Sequence, residues 1–225
     1  MFRNKEFINF IKKSRKRKKD IVLINILDSK ENTYTTDNTT MIVDSESKFV
    51  GNIDNGNFKQ DILLYSKDIL LKGKGEIILL KKEINSNNIK IWIEPFYISN
   101  NFGSLSYALE NASKGIKNTL IRSTKHTGAH SFSPSFDKRD VYFNEERNLF
   151  YQKIISPFKL LILSAQSRCE DLVKIADILG WQTYLCDTEE SNLININSAD
   201  EKVLLKRHQD SLSIAKQNFD VAIIM

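Results

Sequence analysis

The chain has 225 residues, 41% hydrophobic and 27% charged, a composition that supports one large or two small globular units with a buried core and excludes a low-complexity or disordered chain. Its two cysteines, Cys169 and Cys186, stand in no CxxC arrangement, which excludes a disulfide framework and a cysteine-based zinc cluster and points to a reducing compartment. There is no apolar signal core at the start and no run near the ~20 apolar residues of a membrane span, so the sequence predicts a cytoplasmic protein without anchor or export.

In chain order, Phe7, Ile8 and Ile11 form the apolar stripe of a first helix. The basic run Lys12, Lys13, Arg15, Lys16, Arg17, Lys18 and Lys19 falls in its last turns, where cations complement the helix dipole. The net charge of +5 therefore reads first as a solvated helix end, with anionic partners (RNA, acidic protein, lipid headgroup) as the alternative. No aromatic interleaving of the RNA-recognition kind accompanies it. Residues 21–27 read as a buried strand, 28–38 as a polar loop and 40–43 as a second strand. Phe49 and Val50 lead into Gly51, and residues 52–57 form a Gly/Asn/Asp turn cluster. Residues 58–71 predict a helix with Ile62, Tyr65 and Ile69 on one face, closed by Gly73. Strands follow at 76–81 and 89–96. In the second, Ile89, Ile91 and Ile93 alternate with Lys90, Trp92 and Glu94, which predicts one wet face. Residues 1–98 thus read as an α+β domain.

Leu105, Ala108, Leu109 and Ala112 mark a short helix ended by Gly115, residues 118–122 a strand, and the Ser/Thr/Gly/Pro-rich stretch 123–138 a loop between domains. Residues 99–155 are accordingly a connecting region. His126 and His130, spaced H-x-x-x-H, could share a metal on a helix, but Gly128 argues against one and no third ligand is evident.

Residues 159–187 have the outline of a nucleotide-binding β-α-β unit without its glycines. A strand through Leu160, Leu161, Ile162 and Leu163 precedes a helix bearing Leu172, Ile175, Ala176 and Leu179. Gly180 ends that helix, and a second strand at 183–186 stops at Asp187. A dinucleotide site needs glycines in the first turn and an acidic residue ~20 positions on for a ribose hydroxyl. Asp187 has that position, or caps a loop, whereas the turn reads Ser164-Ala165-Gln166-Ser167. Strands at 202–206 and 220–225 and a helix at 211–217 complete residues 156–225. The final apolar strand reads either as the end of a short natural protein or as a truncation. The fold class is α/β: an α+β N-terminal domain followed by a Rossmann-like parallel α/β domain. Cys169 stands near a helix N-terminus, but Glu170 and Asp171 beside it favour a packing role. No Ser-His-Asp arrangement, P-loop or paired-carboxylate motif is visible.

Taken together, these segments resemble the XdhC/CoxI family, the accessory proteins of xanthine dehydrogenase and carbon monoxide dehydrogenase maturation. The resemblance runs over nearly the whole chain. The family's G-x-x-M-L-V strand is matched by Asn38-Thr39-Thr40-Met41-Ile42-Val43, its V-E-P by Ile93-Glu94-Pro95, and its P-x-x-L-L-I-F-G-A-G by the stretch from Pro157 to Gln166. Its G-W-x-V-T-V-x-D-H-R is matched by Gly180-Trp181 and Asp187, and its A-D by Ala199-Asp200. The departures fall on functional positions. The family's G-G-C-x-E cysteine and glutamate become Asn57 and Lys59, its G-A-G turn becomes Ser164-Ala165-Gln166, and a C-G-G segment has no match between Lys82 and Asn88. Thiolate chemistry at position 57 is excluded, since an amide is neither nucleophile nor soft ligand.

The resemblance implies a chaperone-type accessory protein rather than an enzyme, one that binds molybdenum cofactor (molybdopterin) and hands it to a molybdenum hydroxylase apo-enzyme. It further implies a cysteine desulfurase as partner and a homodimer. The implied cofactor-binding residues are Gly51, Asn52, Asn55, Gly56, Asn57, Ser164, Ala165, Gln166, Ser167 and Asp187, with no catalytic or metal-ligating residue. Two alternatives stand beside it: a nucleotide-dependent enzyme or sensor using NAD(P), and an interaction protein without ligand.

Overall fold

The computed structural model describes residues 2, 4–27, 39–53, 58–81, 88–134, 140–165, 168–207, 210, 214 and 219–225. The chain divides into two compact units, residues 1–2 with 6–155 and residues 3–5 with 156–225.

The first unit is built on two antiparallel sheets. One is ordered β3-β2-β1-β5-β4, from Phe49–Ile53, Thr39–Asp44, Ile21–Ile26, Ile89–Phe96 and Glu76–Leu80. Its central strands β2, β1 and β5 are buried on both faces because each face has its own cover, whereas the edge strands β3 and β4 are partly exposed. Val22, Ile24, Met41, Val43, Ile91 and Ile93 point to one side, where α2 (Lys59–Lys72) lays down Ile62 and Ile69. Ser66 completes the buried stripe of α2 and Tyr65 turns outward, since positions 62, 66 and 69 fall on one helical face. The helix stops at Gly73, whose left-handed backbone lets its N–H reach the Ile69 carbonyl.

On the opposite side Ile21, Leu23, Ile42 and Phe96 meet Phe7 and Ile11 of α1 (Lys5–Lys16) and Leu105, Ala108 and Ala112 of α3 (Ser104–Ser113). Leu120 and Ile154 of the second sheet join the same core. That sheet is ordered β7-β6-β9-β8, from His130–Ser133, Asn118–Ser123, Leu149–Ile154 and Val141–Asn144.

Three sequence expectations change here. The stretch 123–138 contains β7, because Thr119 to Arg122 find cross-strand partners in 130–133 despite its turn-rich composition. Asn52, expected to open the turn cluster, lies inside β3 beside Gly51, the two paired with Thr40 and Met41. The face of β5 expected to be wet is dry, with Trp92 and Glu94 each 1% exposed, because α3 and the second sheet cover it. The expected loop at 28–38, residues 54–57 of the expected turn at 52–57 and the gap at 82–87 lie outside the described residues.

The second unit is a parallel sheet ordered β12-β11-β10-β13, from Glu201–Leu204, Gln182–Asp187, Lys159–Leu163 and Val221–Ile224. With α4 (Cys169–Ile178) after β10 and α5 (Glu190–Ile194) after β11, this is the Rossmann-like order whose reversal point lies between β10 and β13. Leu160, Ile162 and Leu185 bury against Val173 and Ala176 of α4 and Leu193 of α5. Leu161 and Cys186 face Leu205 and Phe219 on the other side. The expected helix at 211–217 lies almost wholly outside the described residues. Among the described residues no helix is long and apolar enough to cross a membrane.

Candidate functional site

The chemistry that the sequence pointed to begins at the carboxyl end of β10. Ser164 has a φ of 78°, the left-handed conformation that a glycine adopts without strain. Ser164 thus places a side chain at a backbone position that a glycine-rich dinucleotide loop gives to glycine. Its N–H donates to the Cys186 carbonyl at 2.9 Å, and its own carbonyl accepts from the Cys169 thiol at 3.1 Å. Ala165, 4% exposed, donates its N–H to Oδ2 of Asp187 at 2.6 Å. Oδ1 of the same carboxylate accepts from the N–H of Glu189 at 2.8 Å. Burial pushes the Asp187 carboxyl up, but hydrogen bonds from the backbone of Ala165 and Glu189, the Asn192 side chain and the backbone of Thr188 together more than offset this, so it titrates below the usual aspartate value. Asp187 thus bridges the turn after β10 and the turn after β11 as a buried, ionised acceptor.

Of the residues that sequence reasoning assigned to one site, the second unit brings Ser164, Ala165 and Asp187 together. Gln166 and Ser167 lie outside the described residues, as do Asn55, Gly56 and Asn57. Gly51 and Asn52 belong to the first unit. Gly51 has a φ of 77°, and a Cβ there would run into the Thr40 carbonyl oxygen and, at 2.5 Å, Cζ of Phe7. The space that its missing side chain leaves is filled by the protein itself. Beside it, Oδ1 of Asn52 is buried without a hydrogen-bond partner among the described residues.

The other candidates have local explanations. His126 and His130 are exposed, and the His130 ring lies 2.9 Å from the Gly128 carbonyl and stacks near Tyr107. Among the described residues no group of three or more His, Cys, Asp or Glu converges as metal ligands would. Cys186 is buried, and burial pushes its thiol up to about 11, which leaves it protonated and unreactive. Asp200 of the A-D pair accepts from the N–H and hydroxyl of Thr183 at 2.9 and 3.1 Å, holding the approach to β12 against β11.

Sequence reasoning missed the most heavily buried polar cluster, which lies in the first unit. Arg122 of β6 donates to Glu94 of β5 at 2.5 Å and to Gln152 of β9 at 3.2 Å, and its guanidinium lies over the rings of Trp92 and Phe150. Burial raises the Glu94 carboxyl above its ordinary value against the pull of Arg122. The Nε of Arg122 and the Nε1 of Trp92 have no hydrogen-bond partner among the described residues. The readable signal was an acid and a base in strands that are otherwise core-forming, since such charges are almost never buried unpaired.

The cofactor that the resemblance implies carries a phosphate. The described residues do not fit that group. At the second unit's turn the N–H of Ala165, the donor nearest β10 among the described residues, is already held by a carboxylate. Glu170 and Asp171 add two further carboxyl groups in the first turn of α4. An incoming anion would meet negative charge where it needs free N–H groups. In the first unit, Gly51 is closed by Phe7 and Thr40.

Against known proteins, the sequence matches no family model and no curated protein. The structure resembles a solved protein from Bacillus halodurans described as a xanthine dehydrogenase, with a TM-score of 0.68 and 14% identity over 97% of this chain and 74% of that one. At that identity the likeness is one of fold, and it extends through both units.

Proposed function

We propose that the chain is a divergent accessory protein of the XdhC/CoxI kind, serving a molybdenum hydroxylase such as xanthine dehydrogenase by protein contact rather than by catalysis of its own. The observation that carries this reading is the likeness in fold, along 97% of the chain, to the Bacillus halodurans protein. The matched frame residues, Ile93-Glu94-Pro95, Gly180-Trp181 and Ala199-Asp200 among them, support it. The partners in this reading are the apo-hydroxylase, a cysteine desulfurase and a second copy of the chain, in the cytoplasm. Molybdenum cofactor is the ligand that the resemblance implies, and no role in holding its phosphate is assigned to the turn that Asp187 occupies.

The test is native mass spectrometry of the protein purified from a host that makes molybdenum cofactor, with and without added apo-hydroxylase. A complex with the apo-hydroxylase is expected. Absence of any complex, under conditions where an intact family member forms one, overturns the reading. A stoichiometric pterin adduct on the protein alone would extend the role to carrying cofactor.

A second reading, an interaction protein without ligand outside the molybdenum system, draws on the basic helix end. Arg15 is tied to Ser106, Arg17 to Asp44 and Glu46, and Lys19 to Glu46, whereas Lys12, Lys13, Lys16 and Lys18 are exposed. Partner recovery that vanishes when those four lysines are neutralised, with apo-hydroxylase binding absent, would favour it.

A further inference from the structure

We infer that Asp187 is a built-in substitute for a bound anion, so that the second unit keeps the frame of a phosphate-binding turn while its own carboxylate closes it. This inference does not rest on the proposed function; it concerns what the unit itself can bind. In a dinucleotide-type unit the chain leaves β10 through a left-handed residue so that N–H groups ahead of the following helix point at a pyrophosphate. Here the left-handed residue is present, as Ser164, and the N–H that follows it is present too. What that N–H meets is Oδ2 of Asp187 at 2.6 Å, delivered from the end of the neighbouring strand β11. The second carboxylate oxygen takes the N–H of Glu189, so one buried group satisfies donors from two turns.

A carboxylate with the N–H of Ala165 on one oxygen and that of Glu189 on the other is what a phosphate oxygen pair would offer at this position, at the same sign of charge. A covalently tethered acceptor also has an effective concentration that a free ligand must exceed to displace it. The acidic residue usually reserved for a ribose hydroxyl is therefore spent on the turn itself. The ligand class kept off the Ala165 N–H is the phosphate-bearing one, nucleotides, dinucleotides and pterin phosphates alike.

Removing the tethered anion should leave a cradle that an external anion can refill. The experiment compares wild type with Asp187→Ala by thermal unfolding while inorganic phosphate is titrated at constant ionic strength, alongside calorimetric titration of wild type with ADP. The expected results are a lowered midpoint for Asp187→Ala, a phosphate-dependent rise in that midpoint several degrees larger than in wild type, and no saturable ADP binding by wild type. Should Asp187→Ala not fold, the same titration is read on Asp187→Asn, which keeps the shape and loses the charge. Equal phosphate shifts in variant and wild type would overturn the inference. So would saturable ADP binding by wild type that is lost in the variant, which would make Asp187 a ligand-binding residue.

Discussion

Arg122 and Glu94 form an ion pair 2.5 Å long with each side chain 1% exposed, and it joins β6 of one antiparallel sheet to β5 of the other. Two charges taken out of water cost more than their attraction returns unless further hydrogen bonds satisfy them, and Gln152 and three aromatic rings supply part of that compensation. The pair fixes which residues of the two sheets face each other, since any slip in register would strand a buried charge.

Removing one partner should be worse than removing both. Arg122→Leu is expected to lower stability by about 3–5 kcal/mol through the orphaned Glu94 carboxylate, whereas the double variant Arg122→Leu, Glu94→Leu should recover most of that loss. Urea unfolding of the single and double variants measures it; additive losses would mean that the two charges do not depend on each other.

Gly51 and Gly128 both have positive φ, but only Gly51 is crowded. Gly128→Ala should cost about 1 kcal/mol, the strain of a left-handed alanine. Gly51→Ala adds collision with the Thr40 carbonyl and Phe7 and should cost about 2–4 kcal/mol. Denaturant midpoints of the two variants separate conformation from space, and equal losses would rule out the steric role of Gly51.

Ser164→Gly should stabilise the second unit by about 0.5–1 kcal/mol. Relief of the left-handed strain at φ 78° exceeds the extra freedom that glycine has in the unfolded chain. Thermal unfolding reads the gain, and a loss would show that the serine hydroxyl makes a contact that outweighs the strain.

Glu46 accepts from Arg17, Lys19 and Lys48, and the two lysines, Lys19 first, bring its carboxyl down to about 2. A carboxyl whose folded value is depressed stabilises above its unfolded value of 4.5, and that contribution is lost as pH falls towards about 2. The stability difference between wild type and Glu46→Gln should therefore be present at pH 7, shrink between pH 4.5 and 2, and weaken in high salt, because the cluster is partly exposed. Unfolding midpoints at pH 7, 4 and 2 check it; a pH-independent difference would assign the effect to packing.

Much of the fold was legible because its signals are local. The apolar stripe of α1, the stop of α2 at Gly73, the strands at 21–26 and 89–96 and the succession β10, α4, β11 all follow from periodicity and turn residues within a few positions of each other. β7 and β8 were not legible. Each is four residues long, and His130-Ser131-Phe132-Ser133 becomes a strand only because β6 offers it a ladder.

For the candidate site the division falls between residue type and residue partner. By itself the sequence determined that a carboxylate ends β11, that a non-glycine turn follows β10, and that an acid stands in the middle of β5. Only the tertiary structure decided that Asp187 takes the Ala165 N–H, that Ser164 keeps a left-handed backbone, and that Glu94 is dry and paired with Arg122. The physical reason is that periodicity and propensity act over a few neighbouring residues, whereas the cost of a buried charge or an occupied N–H depends on groups 22 and 28 positions away that folding alone brings into contact.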